Sequence, residues 1–505
     1  MVVSTIRQWA LKLFKVSSVS PRPRRVRLHF EVLEDRDCPT TFPTVPAGDV
    51  TTLIADITTA NANNQADVIN LTPGSTYTLT TASGALPNIG PDNSLTPTGV
   101  ANTLTINGNG ATITRDSAAT NFRIFNIVDG RLFINNLTIS NGLVAFPPPT
   151  IGGGTTGGGI RVIDGTTTTT NGTLDNLVLR NSLVVGNTVL DQFGVLGDGG
   201  GIALSTLAKA TIINSTISGN TAAHFGGGVA MTSGSSTLNI VNSTIAFNVA
   251  KVNIPGSGGG VSANGGTVNL SNTLVSNNHI VTLAGAGDDL SVIAGTVNTR
   301  NSLYQTAPSG TINLNMNTVI GDPLLGTLKN NGGPTFTHAI TSAASPAIGK
   351  GDSTLVVAPD NVSDQRGPGF NRNIGGTVDI GSYEFQPPAV AVGITSSLNP
   401  SNSGQSVLFV ATVAGTAVNS NIPQGTVSFV IDGVAVATVV LVNGNASFAT
   451  TTLLAGSHQV FARYNPTIVG DYSFATGASS VLVQTVKSTN AAVPHSPPYG
   501  RRWRR

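Results

Sequence analysis

The acidic side chains are the first candidates for chemistry, because glycoside hydrolysis needs two carboxyl groups on either side of the scissile bond. Between residues 41 and 500 the only glutamate is Glu384, and the aspartates are scattered. Asp288 and Asp289 form the only adjacent acidic pair of that region. The surrounding run AGAGDDLSV partly matches a glycine-rich calcium-binding repeat, but one copy cannot build such a site, so a turn is expected there.

Histidine, serine and cysteine offer no better arrangement. His224 and His279 lie at different offsets within the repeat defined below, so they are not expected to stack. Serines and aspartates are too numerous for one Ser–His–Asp order to be preferred. The single Cys38 excludes an internal disulfide and any cysteine-rich zinc or iron–sulfur site. The sequence therefore predicts no catalytic, cofactor-binding or metal-binding residues.

Composition and charge narrow the classes of partner. The chain has 505 residues, of which 10% are charged and 5% aromatic, and 59 are glycine. Residues 41–500 carry 14 Lys and Arg against 20 Asp and Glu. A region with more acidic than basic residues is a poor nucleic-acid binder, because phosphate contacts need clustered cations. No stretch approaches 18 consecutive apolar residues, so no transmembrane helix is expected.

A self-similar pattern runs from about residue 100 to 305. Short apolar–Asn–apolar segments recur, and three glycines followed by Ile or Val fall between four pairs of them. The aligned asparagines are 28 to 40 residues apart: Asn136, Asn176, Asn214, Asn242, Asn272 and Asn301. Abundant Thr, Val, Asn and Gly favour strands and turns over helices. Short strands at this period are typical of a solenoid, and a parallel β-helix of about nine coils fits best.

The aligned asparagines are predicted to have a structural role. Leu238, Ile240 and Asn242 alternate onto one face of a strand, so Asn242 and its equivalents are expected to point inward with the aliphatic residues. Successive coils would place each amide on its own copy, which predicts an internal asparagine ladder. The glycine triplets are interpreted as tight turns that need positive φ or close backbone stacking.

The segment that precedes the repeat has a different pattern. Leu53, Ile57 and Ala60 have helical spacing, and strand-like ADVINL and TYTLT follow. A solenoid must shield its first coil from edge-to-edge association, and an amphipathic helix would do so.

Several of these runs resemble bacterial surface proteins with right-handed parallel β-helix repeats that end in a choice-of-anchor Q domain. The matching segments are LIADITTANANNQADVINL, LTINGNGATIT, the NSTIS strands and NGGPTFTHAITSAASPAIGKGD, followed by DQRGPGFNRNIGGTVDIGSYEFQ. The resemblance implies a β-helix with an N-terminal cap over residues 41–329 and a terminal block over 330–386. It also implies a secreted or surface protein whose molecular activity is mostly unknown.

Three charges stand out in the terminal block, because the chain around them is nearly uncharged. Asp364, Arg366 and Asp379 are expected to form an ion-paired polar cap that closes the C-terminal end of the rod, since buried charge is costly unless it is paired.

The two chain ends are basic. Residues 1–40 contain RRVRLHFEVLEDR, which resembles the Leu-Glu-Pro-Arg-type segment that opens many large bacterial surface proteins, with Asp35 in place of proline. That resemblance implies export, and a disordered basic tail is the alternative. Residues 488–505 are rich in Pro and Arg and are expected to be disordered.

The period changes after a short linker at 387–393. Residues 394–487 contain short alternating strands, with Asp432-Gly433 and Asn443-Gly444 placed as hairpin turns. About seven such strands predict an immunoglobulin-like sandwich. SSLNPSNSGQSVLFVATV, PQGTVSFVIDG and LLAGSHQVFARY resemble bacterial Ig-like domains, which commonly act as spacers or adhesive modules.

The expected fold is therefore all-β: a right-handed parallel β-helix followed by an Ig-like sandwich. The favoured function is a non-enzymatic secreted or cell-surface structural or adhesive protein, whose partner would be an extracellular glycan or a cell-envelope component. Because parallel β-helices include pectate lyases and polygalacturonases, a polysaccharide-active lyase or glycoside hydrolase with a groove on the rod is the alternative.

Overall fold

A computed structural model describes residues 40–63, 65–90, 103–145, 156–165, 175–191, 197–232, 234–251, 257–281, 288–355, 358–374, 376–387, 389–416, 422–467 and 474–489. The predicted export segment (apart from Thr40) and most of the basic tail lie outside these residues, as does Cys38. The fold class is confirmed: the chain is nearly all β, with long parallel sheets followed by an Ig-like domain. Among the described residues, no helix is long and apolar enough to cross a membrane.

Three parallel sheets form the rod. Sheet 1 contains Thr40–Thr41, Asp67–Asn70, Leu104–Asn107, Phe125–Val128, Leu132–Asn135, Ile160–Asp164, Leu177–Arg180, Ile202–Thr206, Lys209–Ile213, Val229–Met231, Thr237–Val241, Val261–Ser271, Leu290–Arg300 and Leu314–Met316. Sheet 2 contains Thr76–Leu79, Thr112–Arg115, Thr138–Ser140, Leu183–Val185, Thr216–Ser218, Thr244–Ala246, Leu274–Ser276, Leu303–Tyr304 and Val319–Ile320. Sheet 3 contains Leu143–Ala145, Thr188–Leu190, Thr221–Ala222, Val249–Ala250 and His279–Ile280.

Each coil stacks its residues on like residues of the next coil. Ile240 pairs with Ile212 on one side and with Leu270 on the other. The inward positions are aliphatic and fully buried, so they form one continuous core along the rod. A helix, Val50–Ala60, follows the first strand of sheet 1 and buries Leu53, Ile57 and Ala60, as its spacing predicts.

The glycine triplets turn the chain between sheet 3 and sheet 1. The first glycine has positive φ in Gly157, Gly199 and Gly226. The third glycine is needed for space: a Cβ on Gly228 would lie 2.7 Å from the carbonyl oxygen of Gly260 and 3.0 Å from Asn248 Nδ2. Glycine therefore allows neighbouring coils and a buried amide to approach closely.

The terminal block, residues 330–386, has little regular structure apart from a short 3₁₀ helix, Ser353–Leu355, and isolated bridges. It does not simply close the C-terminal end of the rod, as the sequence suggested. Thr335 Oγ1 donates to the carbonyl of Asn181, and Ser382 Oγ donates to Thr244 Oγ1, both at 3.0 Å. The block thus lies along sheet 2 and buries the outer side of strands such as Thr216–Ser218 and Thr244–Ala246.

The Ig-like domain has two sheets. One contains Val390–Ser396, Val407–Gly415 and Asn445–Thr450, and the other Ser401–Asn402, Gly425–Ile431, Val434–Val440, Gly456–Pro466, Gly477–Ala478 and Leu482–Lys487. Asp432, Gly433, Asn443 and Gly444 all have positive φ, as the predicted hairpin turns require. Phe409 and Phe429 lie at the centre of its core.

Candidate functional site

Five of the six aligned asparagines lie at the bend between sheets 1 and 2, where φ is 46–52°. They do not form the predicted internal ladder. Asn272 accepts from the backbone N–H of Asp352 at 2.8 Å and donates to its carbonyl at 2.9 Å, and Asn301 donates to the carbonyl of Lys350 at 3.0 Å. Among the hydrogen bonds of the described residues, one amide-to-amide bond joins members of the set, from Asn272 to Asn242 at 3.0 Å. The positive φ ends the alternation of the strand, so the parity argument does not extend to this residue.

The alignment is wrong for Asn176, which does not occupy the bend position of its coil. Leu177 pairs with Ala210, which places Asn176 beside Lys209 rather than beside Asn214. The bend residue of that coil is Asn181, with φ 51°. Asn176 is buried, accepts from the backbone N–H of Lys209 at 2.9 Å and donates to the carbonyl of Gly130 at 3.2 Å.

The internal ladder of the rod consists of other asparagines, which lie six residues beyond the bend in four successive coils. Each side-chain amide donates to the next Oδ1 at 2.9 Å, and each Oδ1 also accepts a backbone N–H from the preceding coil at 3.0 Å. These bonds join Asn187, Asn220, Asn248 and Asn278 in order. All four are buried, with at most 5% of their surface exposed. The repeated SGN, AFN and SNN runs are the sequence signal for this ladder.

The ladder ends on a carboxylate. Asn278 Nδ2 donates to Asp289 Oδ1 at 3.0 Å, and the backbone N–H of Thr306 donates to Asp289 Oδ2 at 2.7 Å. Asp289 is fully buried, and its burial raises the pKa of its carboxyl group. Asp288–Asp289 is therefore part of the rod's interior. Among the described residues, no group of three or more His, Cys, Asp or Glu could hold a metal ion.

The charges of the terminal block form a buried network. Arg366 Nη2 and Asp364 Oδ2 are 2.5 Å apart, and the Arg366 guanidinium lies 4.0 Å from the ring of Phe370 and 3.8 Å from that of Tyr383. Asp379 accepts backbone N–H groups from Gly349 and Phe385 at 2.7 Å. These three predicted residues lie in a network that faces the side of the rod, not its end.

Arg372 and Glu384 also belong to this network, although the sequence did not indicate either of them. Arg372 is fully buried and donates to Asn214 Oδ1 at 2.9 Å and to the carbonyl of Gly381 at 2.8 Å. Its Nη1 lies 3.8 Å from Glu384 Oε2. The arginine therefore connects a bend asparagine of the rod with the acidic residues of the block.

Burial is the main cause of the pKa shifts in this network. It raises the pKa of Glu384 to about 9, with a further contribution from the charge of Asp379. Burial also raises the pKa of Asp379. Burial also lowers the pKa of Arg372. At most 3% of Asp364, Arg366, Arg372, Asp379 or Glu384 is exposed, so these groups hold the block together and do not face a substrate.

Two histidines contact groups that could activate them. Ser218 Oγ and His338 Nε2 are 2.8 Å apart, and His338 Nδ1 lies 2.8 Å from the carbonyl oxygen of Gly326. Both side chains are 3% exposed, and burial lowers the pKa of His338. The other histidine is His224, whose Nδ1 lies 2.9 Å from Oδ1 of Asp198. The Ser218–His338 pair is therefore buried at the contact between the rod and the block, to which His338 belongs.

The rod also carries a shallow open groove of about 460 Å³. It is lined by the turns of three successive coils: residues 234–237, 265–267 and 294–296. These residues are Gly, Ser, Thr and Ala, so the groove offers hydroxyl and backbone groups but no acid, base or aromatic ring.

Comparison with known proteins gives a partial match. The family model for the bacterial Ig-like domain (group 3) matches residues 394–487. No curated protein and no solved structure matches the chain. The Ig-like domain expected at these residues is thus supported both by the family match and by the antiparallel sheets.

Proposed function

We propose that this protein is a non-enzymatic structural or adhesive protein of the bacterial surface or exterior. In this proposal the β-helix is a stalk or binding face and the Ig-like domain is a spacer. The observation that carries it is the bacterial Ig-like domain that follows the rod, because domains of this family occur in surface proteins. The export role of residues 1–40 and the choice-of-anchor Q character of residues 330–386 are parts of the same proposal.

The placement of the charges favours this role over the enzymatic alternative. A polysaccharide-cleaving site needs acids or bases that converge where a sugar chain can reach them. Here the converging carboxyl groups of Asp364, Asp379 and Glu384 are buried within the terminal block, and the open groove is lined by uncharged residues.

Cell fractionation tests the proposed location. The full chain should be found at the surface or in the medium of a bacterial host, where added protease can reach it. A chain lacking residues 2–38 should stay in the cytosol. Equal cytosolic retention of both chains, or resistance of the full chain to protease on intact cells, would contradict the proposal.

Incubation with a panel of polysaccharides separates the two functions. A binding or stalk protein should retain a glycan, or none, without releasing new reducing ends or unsaturated products. Product release that persists in an Asp289→Asn variant but is lost on substitution of a surface residue would support the enzyme instead.

A further inference from the structure

Two arginines lie side by side on the outer surface of the rod, near its N-terminal half. Arg161 is on the strand Ile160–Asp164, which pairs with Phe125–Val128 of the preceding coil so that Arg161 is opposite Asn126. Arg123 lies just before that earlier strand. Both side chains are half-buried, so part of each reaches solvent.

Arg123 uses the acceptors of this neighbourhood. Its Nε lies 3.3 Å from the carbonyl oxygen of Gly157, its Nη2 3.1 Å from that of Thr156, and its Nη1 3.4 Å from Asn126 Oδ1. The amide nitrogen of Asn126 donates to Asn88 Oδ1 at 2.9 Å. The neighbouring carbonyl and amide oxygens therefore already have a donor.

Within the described ranges, Arg161 has no hydrogen-bond acceptor for its buried Nε. None of the ion pairs among the described residues includes Arg123 or Arg161. By contrast, Arg180 on the same sheet lies 3.1 Å from Asp360, and Arg366 pairs with Asp364.

The positive charge of Arg161 also acts on Arg123. Burial, and then the charge of Arg161, lower the pKa of Arg123 to about 10, and burial lowers that of Arg161. Two half-buried cations without a carboxylate are costly. An anion between them would relieve both the repulsion and the missing hydrogen bonds.

We propose that Arg123 and Arg161 form a binding site for an oxyanion, and that its carrier is an acidic extracellular polysaccharide with carboxylate or sulfate groups. A guanidinium matches both groups with two parallel N–H···O bonds. The carrier rests on the surface role proposed above, whereas the oxyanion site itself does not. Arg161 supplies the free donors, and Arg123 supplies charge while it holds the 156–157 turn.

Calorimetric titration of the full chain tests the site with defined probes. The probes are a galacturonate trisaccharide, a sulfated disaccharide, sodium sulfate, and a neutral glucose trisaccharide as control, all at one ionic strength. The acidic sugars and sulfate should bind, and the neutral sugar should not. Arg161→Gln should weaken acidic-sugar binding about tenfold or more, because it removes charge-assisted hydrogen bonds.

Two further variants make the result specific. Arg300→Gln removes an exposed arginine of the same sheet and should change affinity less than about twofold, since exposed charges contribute little. Arg161→Lys keeps the charge but loses the planar pair of donors, so it should bind between wild type and Arg161→Gln. Circular dichroism of each variant reports whether the rod is intact.

The outcomes separate the site from its carrier. Equal losses in Arg161→Gln and Arg300→Gln, or equal binding of the neutral sugar, would overturn the site. Binding of sulfate but of neither acidic sugar would keep the oxyanion site and overturn the polysaccharide carrier. Binding of acidic sugars by a chain that fractionation finds only in cytosol would keep the site and contradict the surface role.

Discussion

The rod and the terminal block bury their polar groups in opposite ways. In the rod, neutral amides stack on their own copies, and each donates to the next at 2.9 Å. In the block, Arg366 and Arg372 lie among buried carboxylates. A repeat satisfies a buried amide through translation, because the next coil always supplies the same partner. An irregular segment has no such copy, so its buried groups depend on individual charge pairs.

The largest effect is expected from breaking the charge network. Arg372→Met should lower the free energy of unfolding of the block by about 3–5 kcal/mol, because it leaves acidic groups buried without their cation. Hydrogen exchange of peptides from residues 330–386 would measure this loss. Arg300→Met changes an exposed arginine and should stay within about 0.5 kcal/mol of wild type. Similar losses in both variants would contradict the role of Arg372.

The ladder of the rod should be the next most sensitive feature. Asn248→Ala removes the donor to Asn278 and the acceptor for Asn220, and should cost about 1–3 kcal/mol for each buried group left unpaired. Asn239→Ala is the matched control on the same coil, because Asn239 faces outward and is only half-buried. Denaturant unfolding followed by circular dichroism would compare them. An equal midpoint for the two variants would show that the ladder does not stabilise the rod.

The block should also be distinguished from the rod by its pH dependence. Because the pKa of Glu384 is raised to about 9 in the folded chain, the folded state binds more protons than the unfolded state between the ordinary glutamate pKa and 9. Stability of the block should therefore fall as pH rises through this window. Glu384→Gln should flatten the fall, measured as exchange protection at pH 5, 7 and 9. An unchanged slope in the variant would assign the effect to another group.

The smallest effect is expected on the Ig-like domain. His458 Nδ1 lies 2.7 Å from Asp432 Oδ2, and this hydrogen bond raises the pKa of the histidine. Its contribution to stability should be present below the ordinary histidine pKa and be lost as pH rises through the raised value. An NMR titration of His458 should show the raised pKa, and Asp432→Asn should move it back toward 6.5. No movement would leave the carbonyl of Leu454 as its only cause.

The sequence predicted those parts that depend on periodicity. The aliphatic repeat indicated the solenoid, the spacing of Leu53 and Ile57 indicated the first helix, and Asp432-Gly433 indicated a hairpin. Asn214 and Asn220 recur with the same period, so spacing alone cannot tell which one is inside. Asn214 has positive φ, which takes its side chain out of the alternation of the strand. The pattern of apolar and polar residues in the sequence does not reveal this φ.

The position of the terminal block could not be predicted for a different reason. It has no repeat, and its contacts with the rod join residues far apart in the chain, such as Gln365 with Ser182. The same applies to Arg372, whose partner Asn214 belongs to the rod. The density of charge and the family resemblance singled this segment out, but neither indicated where it lies on the rod.

The lateral position of the terminal block has a consequence for the order of folding. Within the rod, partners on neighbouring coils are about 30 residues apart, as Asn248 and Asn278 are, whereas Gln365 reaches 183 residues back to Ser182. Local contacts form quickly, while distant ones wait for the chain between them to become ordered. Coils can therefore add one after another, and the block can dock only when the strands beneath it exist. We expect the coils of the rod to acquire exchange protection first. The outer face of sheet 2, which the block covers, should become protected last.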